Sequence, residues 1–378
     1  MPSSPVEFSD FPPGTTTVPE GRFSFAPGNR FDRFEIVSCY RDGAFKEVYL
    51  ARDMGQSNGQ QYALKIVKSL ARLLDTTSRS PGATVTYNLG RLRDQVGDVR
   101  VRREKYEQEI RIVRDRLAQC SSVAQIVHQG VINLPGMDYR NEILYFVEEF
   151  IDGETLAEFL TREAPLSSER ALNLLGKLAR AIQPIHKQSV AHRDIKGSNI
   201  LIVPRGTDGG DIERVALTDF GNSAVLGSRY AQSGSILYRA PEQIQGKNGG
   251  QKSDMWALGI LVYEALTGTY PFNTLRPDWT DLPPEAVKQE KAYLKDQIAH
   301  ARPSFPIPSP QTGLDEHLNN LLVGRPHPHE THFVHRNKTL SRYEHPHQHY
   351  LFDRRRERRM NARELVERVA AVERAYLS

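Results

Sequence analysis

From Phe34 onward the apolar positions fall into two regimes. Phe34-Glu-Ile-Val, Glu47-Val-Tyr-Leu-Ala and Gln61-Tyr-Ala-Leu-Lys-Ile-Val are short β-rich runs with turn signals between them. They predict an antiparallel sheet. Residues 104–118 (EKYEQEIRIVRDRLA) place Tyr106, Ile110, Val113 and Leu117 on one helical face. Ile143-Leu-Tyr-Phe-Val predicts another strand, and Asp152-Gly153 then breaks the chain. Beyond the break the spacing turns helical, at Leu156-Ala-Glu-Phe-Leu, from Ala171 to Ile185, from Met255 to Leu266 and from Ala362 to Leu377. The pattern predicts an α+β chain, with a small β-rich lobe before a larger helical lobe and a hinge near 152.

Three stretches stand outside this pattern. Residues 1–30 are rich in Pro, Ser, Thr and Gly without periodicity, which predicts a mostly disordered arm. Residues 73–103 carry Thr, Ser, Gly, Pro and Arg with little apolar content, and residues 324–349 carry seven of the twelve histidines. Both look inserted, since loops this long are uncommon inside a domain. The expected organisation is an arm over 1–30, a first lobe over 31–151 and a second over 152–378.

Composition narrows the class. The chain has 378 residues, 39% hydrophobic and 25% charged, enough to bury a core without covalent staples. Cys39 and Cys120 lack metal-ligand spacing and read as thiols in a reducing compartment. No run of 18 apolar residues is present, so no membrane span is expected. The N-terminus has no basic or apolar region of a secretory signal, and Pro2 excludes myristoylation. A net charge of +4 is mild for this size and does not argue for a nucleic-acid partner. These features lead to an expected cytoplasmic location.

The chemistry-bearing residues cluster between His192 and Glu242. His192-Arg-Asp-Ile-Lys-Gly-Ser-Asn199 is followed by Thr218-Asp-Phe-Gly221, then Gly234-Ser-Ile-Leu-Tyr-Arg-Ala-Pro-Glu242, then Asp254-Met-Trp-Ala-Leu-Gly259. Upstream lie Tyr62-Ala-Leu-Lys65 and Phe146-Val-Glu-Glu-Phe-Ile-Asp-Gly. In this order and spacing the chain resembles the eukaryotic-type protein kinase superfamily, with a hinge run closer to bacterial members. The resemblance implies a bilobed kinase fold, with a small antiparallel sheet and one regulatory helix followed by a mostly helical lobe.

The resemblance also implies roles. Asp194 would accept or orient the acceptor hydroxyl's proton, and Lys196 would steady the γ-phosphate. Asn199 and Asp219 would ligate magnesium, which favours hard oxygen donors. Lys65 would contact the α- and β-phosphates. Its expected ion-pair partner is Glu109, with Glu107 as competitor. Glu149 and Ile151 would offer backbone groups to adenine, and Val48, Ala63 and Leu201 would form its apolar walls; ordinary core packing explains these three equally well. Glu148 falls where an apolar side chain is commoner, and a buried carboxylate there calls for a polar neighbour. Asp254 would brace the catalytic-loop backbone. Arg359 is the better match for the buried partner of Glu242, although Arg354–Arg359 also reads as a basic nucleic-acid patch.

The glycine-rich loop departs most from the family pattern. Arg41-Asp-Gly-Ala-Phe-Lys-Glu-Val48 keeps Gly43 and Val48, but Arg41 and Lys46 replace the outer glycines. Fewer glycines restrict close backbone approach to phosphate, while two added cations favour a polyanion. Lys196 matches serine/threonine kinases, and Ser235 stands where those enzymes place a hydroxyl against the Asp–Lys pair. The expected activity is transfer of the γ-phosphoryl of ATP, with magnesium or alternatively manganese, to serine or threonine of protein substrates. A pseudokinase that binds nucleotide without efficient turnover, and a small-molecule phosphotransferase, are the alternatives. Ser223, Ser228, Tyr230 and Ser233 are candidate activation-segment phosphosites. The histidine-rich segment is a candidate zinc or nickel site, or simply a polar surface loop.

Overall fold

The computed structural model describes residues 25, 27–42, 46–56, 59–67, 89–133, 142–205, 211–225, 235–272, 283–301, 303–304, 306–324 and 350–377. The chain forms two compact units, residues up to 118 with 124–152, and residues 119–123 with 153 onward.

The first unit is a six-stranded antiparallel sheet of β1 (Arg30–Phe31), β2 (Phe34–Asp42), β3 (Lys46–Asp53), β4 (Gln61–Val67), β5 (Ile126–Asn133) and β6 (Glu142–Glu149). The spatial order is β1-β2-β3-β4-β6-β5. Register sorts the residues by face. Val48 lies opposite Lys65, Lys65 opposite Phe146 and Ala63 opposite Glu148. With side chains alternating in period two, Lys46, Val48, Ala63, Lys65, Phe146 and Glu148 share one face. The other face presents Tyr49, Ala51, Tyr62, Leu64, Ile66, Tyr145 and Val147, which join Phe31, Phe34 and Ile36 in one buried core. Each large side chain buried there contributes roughly 1.5–3 kcal/mol.

Helix α1 (Leu89–Arg116) packs on this unit. Tyr106, Ile110, Val113 and Leu117 are all buried, as their spacing predicts. The Tyr106 hydroxyl donates to the carbonyls of Gly130 and Tyr145, tying the helix to β5 and β6. Burial pushes that phenol up to about 12. The helix begins at Leu89 rather than near 104, so part of the expected insert is helical. Arg, Leu and Gln in this stretch favour helix without an apolar period for a pattern search to find. Residues 73–88 lie outside the described residues. Strand β5 was also missed: His128, Gln129 and Gly130 interrupt its apolar run, as suits a strand at the sheet edge. The expected disordered arm lies outside the described residues up to 24. From Phe25 the chain is folded in, with the Phe25 ring edge-on to Phe31 and Tyr49.

The second unit holds β7 (Glu154–Thr155), α2 (Leu156–Glu163), α3 (Ser168–Lys187), β8 (Val190–Ala191), β9 (Ile200–Arg205), β10 (Asp211–Leu217) and β11 (Ala224–Val225). After these come α4 (Pro241–Ile244), α5 (Gln251–Thr267), α6 (Pro284–His300), α7 (Gly313–Leu322) and α8 (Ala362–Tyr376). Thr155 and Glu158 form a capping box that starts α2, and Asn361 with Glu364 does the same for α8. Helix α5 is buried on all sides from Ser253 to Tyr263, which explains its apolar sequence, and Gly268 ends it at φ 68°. Strands β7, β9 and β10 form a small antiparallel sheet, and β8 pairs with β11. Around the histidine-rich segment, Leu351 and Phe352 N–H donate to the carbonyls of Leu321 and Leu322. The segment itself, from 325 to 349, lies outside the described residues. Among the described residues no helix is long and apolar enough to cross a membrane.

Candidate active site

The catalytic loop is built from the helix behind it. Asp254, in the first turn of α5 and buried, accepts the backbone N–H groups of His192 and Arg193, each at 2.8 Å, and the His186 Nε2 at 2.9 Å. A carboxylate near a helix N-terminus is favourably placed, and three donors offset its desolvation. The brace matches the sequence expectation. It also holds Arg193 at φ 67°, a left-handed conformation that a non-glycine residue adopts at a cost.

Asp194 follows, 6% exposed. Its Oδ2 receives Asn199 Nδ2 at 3.2 Å, Asn222 Nδ2 at 3.2 Å and the Lys196 ammonium at 3.3 Å. Its Oδ1 receives the Ser235 main-chain N–H at 3.1 Å. Ser235 therefore meets Asp194 through its backbone, where the sequence pointed to its hydroxyl. Asn222 was missed by sequence reasoning; its one available signal was its place directly after Asp219-Phe-Gly. Asn199 Nδ2 also donates to the Asp194 carbonyl at 2.9 Å, which leaves its amide oxygen as the polar atom for a ligand.

Asn199 and Asp219 are brought to the same end of the β9–β10 pair. Leu217 lies opposite Ile200, and Thr218 N–H donates to the Asn199 carbonyl at 3.0 Å. Asp219 sits at φ 65°. His192 Nε2 lies 3.0 Å from the Thr218 carbonyl, and its ring is 4.6 Å from that of buried Phe220. Leu201 is half-buried on β9, opposite Ala216 and Thr155. Ser223 is fully buried and its hydroxyl donates to the His192 carbonyl, which corrects its reading as an accessible phosphosite. Ser228, Tyr230 and Ser233 lie outside the described residues.

The segment after Ser235 is fastened to α5. The Tyr238 hydroxyl donates to Glu264 Oε2 at 3.1 Å, and the Tyr270 hydroxyl donates to the Leu237 carbonyl. Burial raises the Glu264 carboxyl to about 7, against which the Tyr238 hydrogen bond works weakly. The folded value lies above the unfolded one, so this contribution to stability is full below pH ~4.5 and is lost as pH rises through about 7. Glu264→Gln is expected to flatten that decline and to gain up to about 3 kcal/mol over the wild type at pH 8. Melting curves of both proteins from pH 5 to 8 test this; parallel profiles refute it.

Further along, Glu242 and Arg359 form a fully enclosed fork, with Nη1 and Nη2 at 2.8 and 3.0 Å from the two carboxylate oxygens. Ser253 Oγ donates to Glu242 Oε1 at 2.7 Å, and the guanidinium lies 5.0 Å from the Trp256 ring centroid. Burial works to raise the Glu242 carboxyl, but Arg359 and Ser253 hold it below the ordinary carboxylate range. Arg359 is thus a structural partner and not part of a basic surface patch.

In the first unit the expected ion pair is rearranged. Lys65 Nζ lies 2.7 Å from Glu148, and Glu109 of α1 takes Lys46 at 2.5 Å. Lys65 and Glu148 stand on the same sheet face on adjacent strands, so strand register brings them together. Glu148 thereby gains the polar neighbour its burial calls for. Glu109 is buried, whereas Glu107 is exposed and pairs with Arg103, which settles which carboxylate of α1 faces the sheet. Val48 and Ala63 are half-buried on the lysine-bearing face. Glu149 N–H is used by the Gln125 carbonyl at 3.0 Å, and Ile151 is buried. Arg41 pairs with Val48 through the β2–β3 backbone, and Gly43 lies outside the described residues.

Known proteins share this framework. The family described as the protein kinase domain matches residues 98–336. Serine/threonine-protein kinase PrkC of Bacillus subtilis is 33% identical over 180 residues, 46% of this chain and 27% of the relative. A probable serine/threonine-protein kinase PknB of Lactococcus lactis is 29% identical over 187 residues, 48% of this chain and 29% of the relative. Serine/threonine-protein kinase PknA of Mycobacterium tuberculosis is 32% identical over 184 residues, 46% of this chain and 41% of the relative. The chain thus spans well under half the length of these relatives. With the family match covering more than half of its residues, and with Asp194 joined to Asn199 and the loop braced by Asp254 just ahead of it, the chain belongs to the protein kinase family.

Proposed function

We propose that the chain is a serine/threonine protein kinase, moving the γ-phosphoryl of ATP to hydroxyls of protein substrates, its own activation segment among them. The observation that carries this is the Asp194 carboxylate, held at one oxygen by Lys196, Asn199 and Asn222 and at the other by the Ser235 N–H. A carboxylate fixed this way orients an acceptor hydroxyl and takes its proton. Lys196, beside it, steadies the transferring phosphate, and its presence favours serine or threonine over tyrosine. The names of the relatives support the same reading.

Asn199 and Asp219 have the chemistry to hold magnesium, or manganese in its place. Each supplies a hard oxygen, and the hydrogen bonds of Asn199 Nδ2 leave its amide oxygen for the ion. Among the described residues no three His, Cys, Asp or Glu side chains form a closed metal cage. An ion held by Asn199 and Asp219 would neutralise charge on the phosphates. In the first unit, Lys65 supplies an ammonium to the phosphates, with Arg41 and Gly43 in the covering loop. Val48 and Ala63 offer apolar contact to adenine, and the backbone of Glu149 and Ile151 offers hydrogen bonds. In the second unit Leu201 adds an apolar contact. The thiols Cys39 and Cys120, neither in a disulfide, support a cytoplasmic setting.

The test is direct. Purified protein with γ-labelled ATP, magnesium and casein is expected to place label on serine and threonine, and chelation of magnesium is expected to stop it. Label found on tyrosine alone, or transfer to small molecules in place of protein, refutes the proposal.

A further inference from the structure

We infer that Lys46 is a second phosphate-binding residue of the nucleotide site and that Glu109 acts through it, not through Lys65. This rests on the nucleotide reading above and deepens it. Three observations within the first unit converge. Lys46 and Glu109 are joined at 2.5 Å, with the lysine side chain 14% exposed and the carboxylate 1% exposed. Lys65 is joined to Glu148 at 2.7 Å, and both are nearly buried. Both ammonium groups stand over the same ring, Lys46 Nζ at 5.1 Å and Lys65 Nζ at 5.6 Å from the Phe146 centroid.

The sheet thus presents two cations side by side, each oriented by its own carboxylate. Lys46 is two residues from Val48 on β3, so both point to the same face, with Lys46 nearer the loop that covers phosphates. It occupies the place of a glycine in the family pattern. A glycine there would offer a backbone N–H to phosphate; a lysine offers an ammonium, a stronger charge-assisted donor. Drawing either lysine away from its partner would strand a buried carboxylate, and breaking such a pair typically costs about 3–5 kcal/mol. Lys46 is the more exposed of the two, 14% against 8%, and is tied to α1 through Glu109. The helix carboxylate therefore couples α1 to β3 and not to β4.

The experiment compares Mg·ATP, Mg·ADP and adenosine by calorimetry. Lys46→Met is expected to weaken both phosphate-bearing ligands at least about tenfold and to leave adenosine unchanged, while Lys46→Arg keeps most of the affinity. Because Lys46→Met removes a cation from a buried carboxylate, Lys46→Met/Glu109→Gln is measured beside it. Glu109→Gln is expected to weaken Mg·ATP in the wild type and in Lys65→Met, and to add nothing once Lys46 is gone. Equal loss of adenosine, unchanged Mg·ATP affinity in Lys46→Met, or coupling of Glu109 to Lys65 overturns the inference. Wild-type protein that binds adenosine but gains nothing from phosphates refutes the nucleotide reading itself, a result separable from the others because it appears before any substitution.

Discussion

Asp194→Asn is expected to lower phosphoryl transfer by roughly 10³-fold or more while the protein stays folded and still binds Mg·ATP. The substitution keeps shape but removes the proton acceptor. It also disturbs the local pattern. Oδ1 accepts the Ser235 N–H, and Oδ2 faces three donors, from Lys196, Asn199 and Asn222. An amide has one oxygen, so one side of it meets donors with an NH₂ group, at a cost of about 1–3 kcal/mol. That local cost is small beside the loss of the base. Lys65, Asn199 and Asp219 remain in place, so the thermal shift produced by Mg·ATP should survive. Residual activity above about a tenth of the wild type would remove Asp194 from the role of base.

The second large effect concerns stability. Arg359→Met is expected to destabilise the second unit by about 3–5 kcal/mol, since it leaves the buried Glu242 carboxylate without its fork. The guanidinium also bonds the carbonyls of Lys252 and Asp353, so the loss reaches the start of α5 as well. Adding Glu242→Gln should recover part of the deficit, because the uncompensated charge is then gone. Guanidinium unfolding followed by tryptophan fluorescence reads this directly, with Trp256 lying against Arg359. Glu242 further sets an acid limit. Its folded value lies below its ordinary one, so its contribution is present above pH ~4.5 and is lost as pH falls. A midpoint for Arg359→Met within experimental error of the wild type would show that the fork contributes little.

Much of the second unit was legible because its key pairs are encoded by residue type at fixed places. Asp254 under the loop and Arg359 on Glu242 follow from motif position alone, and the structure joins them as expected. Apolar periodicity found the core faces of the sheet and of α1, α3 and α8 because one face must leave water, and α5 stood out by being apolar all round. What stayed hidden depends on distances between elements. Glu109 was matched to Lys65 by family position, yet two lysines stand within reach of α1's neighbourhood, and register gives Lys65 to Glu148. Sequence order cannot rank two cations on one face. Asn222 and the Ser235 backbone contact escaped because an amide and a main-chain N–H carry no type-specific signal. The early start of α1 escaped because its first turns lack an apolar stripe to detect.

The brace by Asp254 has a further consequence for how the protein comes into being. The carboxylate that shapes the catalytic loop lies 62 residues later in the chain than the His192 amide it binds. A ribosome adding about 5–20 residues per second delivers the loop several seconds before its brace. Until α5 is made and docked, the His192 and Arg193 amides lack the carboxylate that accepts them, and Asp194 is left with its contacts to Lys196, Asn199, Asn222 and Ser235. Catalytic geometry is therefore a late product of biogenesis, reached only after the core helix is packed. A nascent chain ending before Gln251 would carry every residue of the catalytic loop without the carboxylate that braces its start.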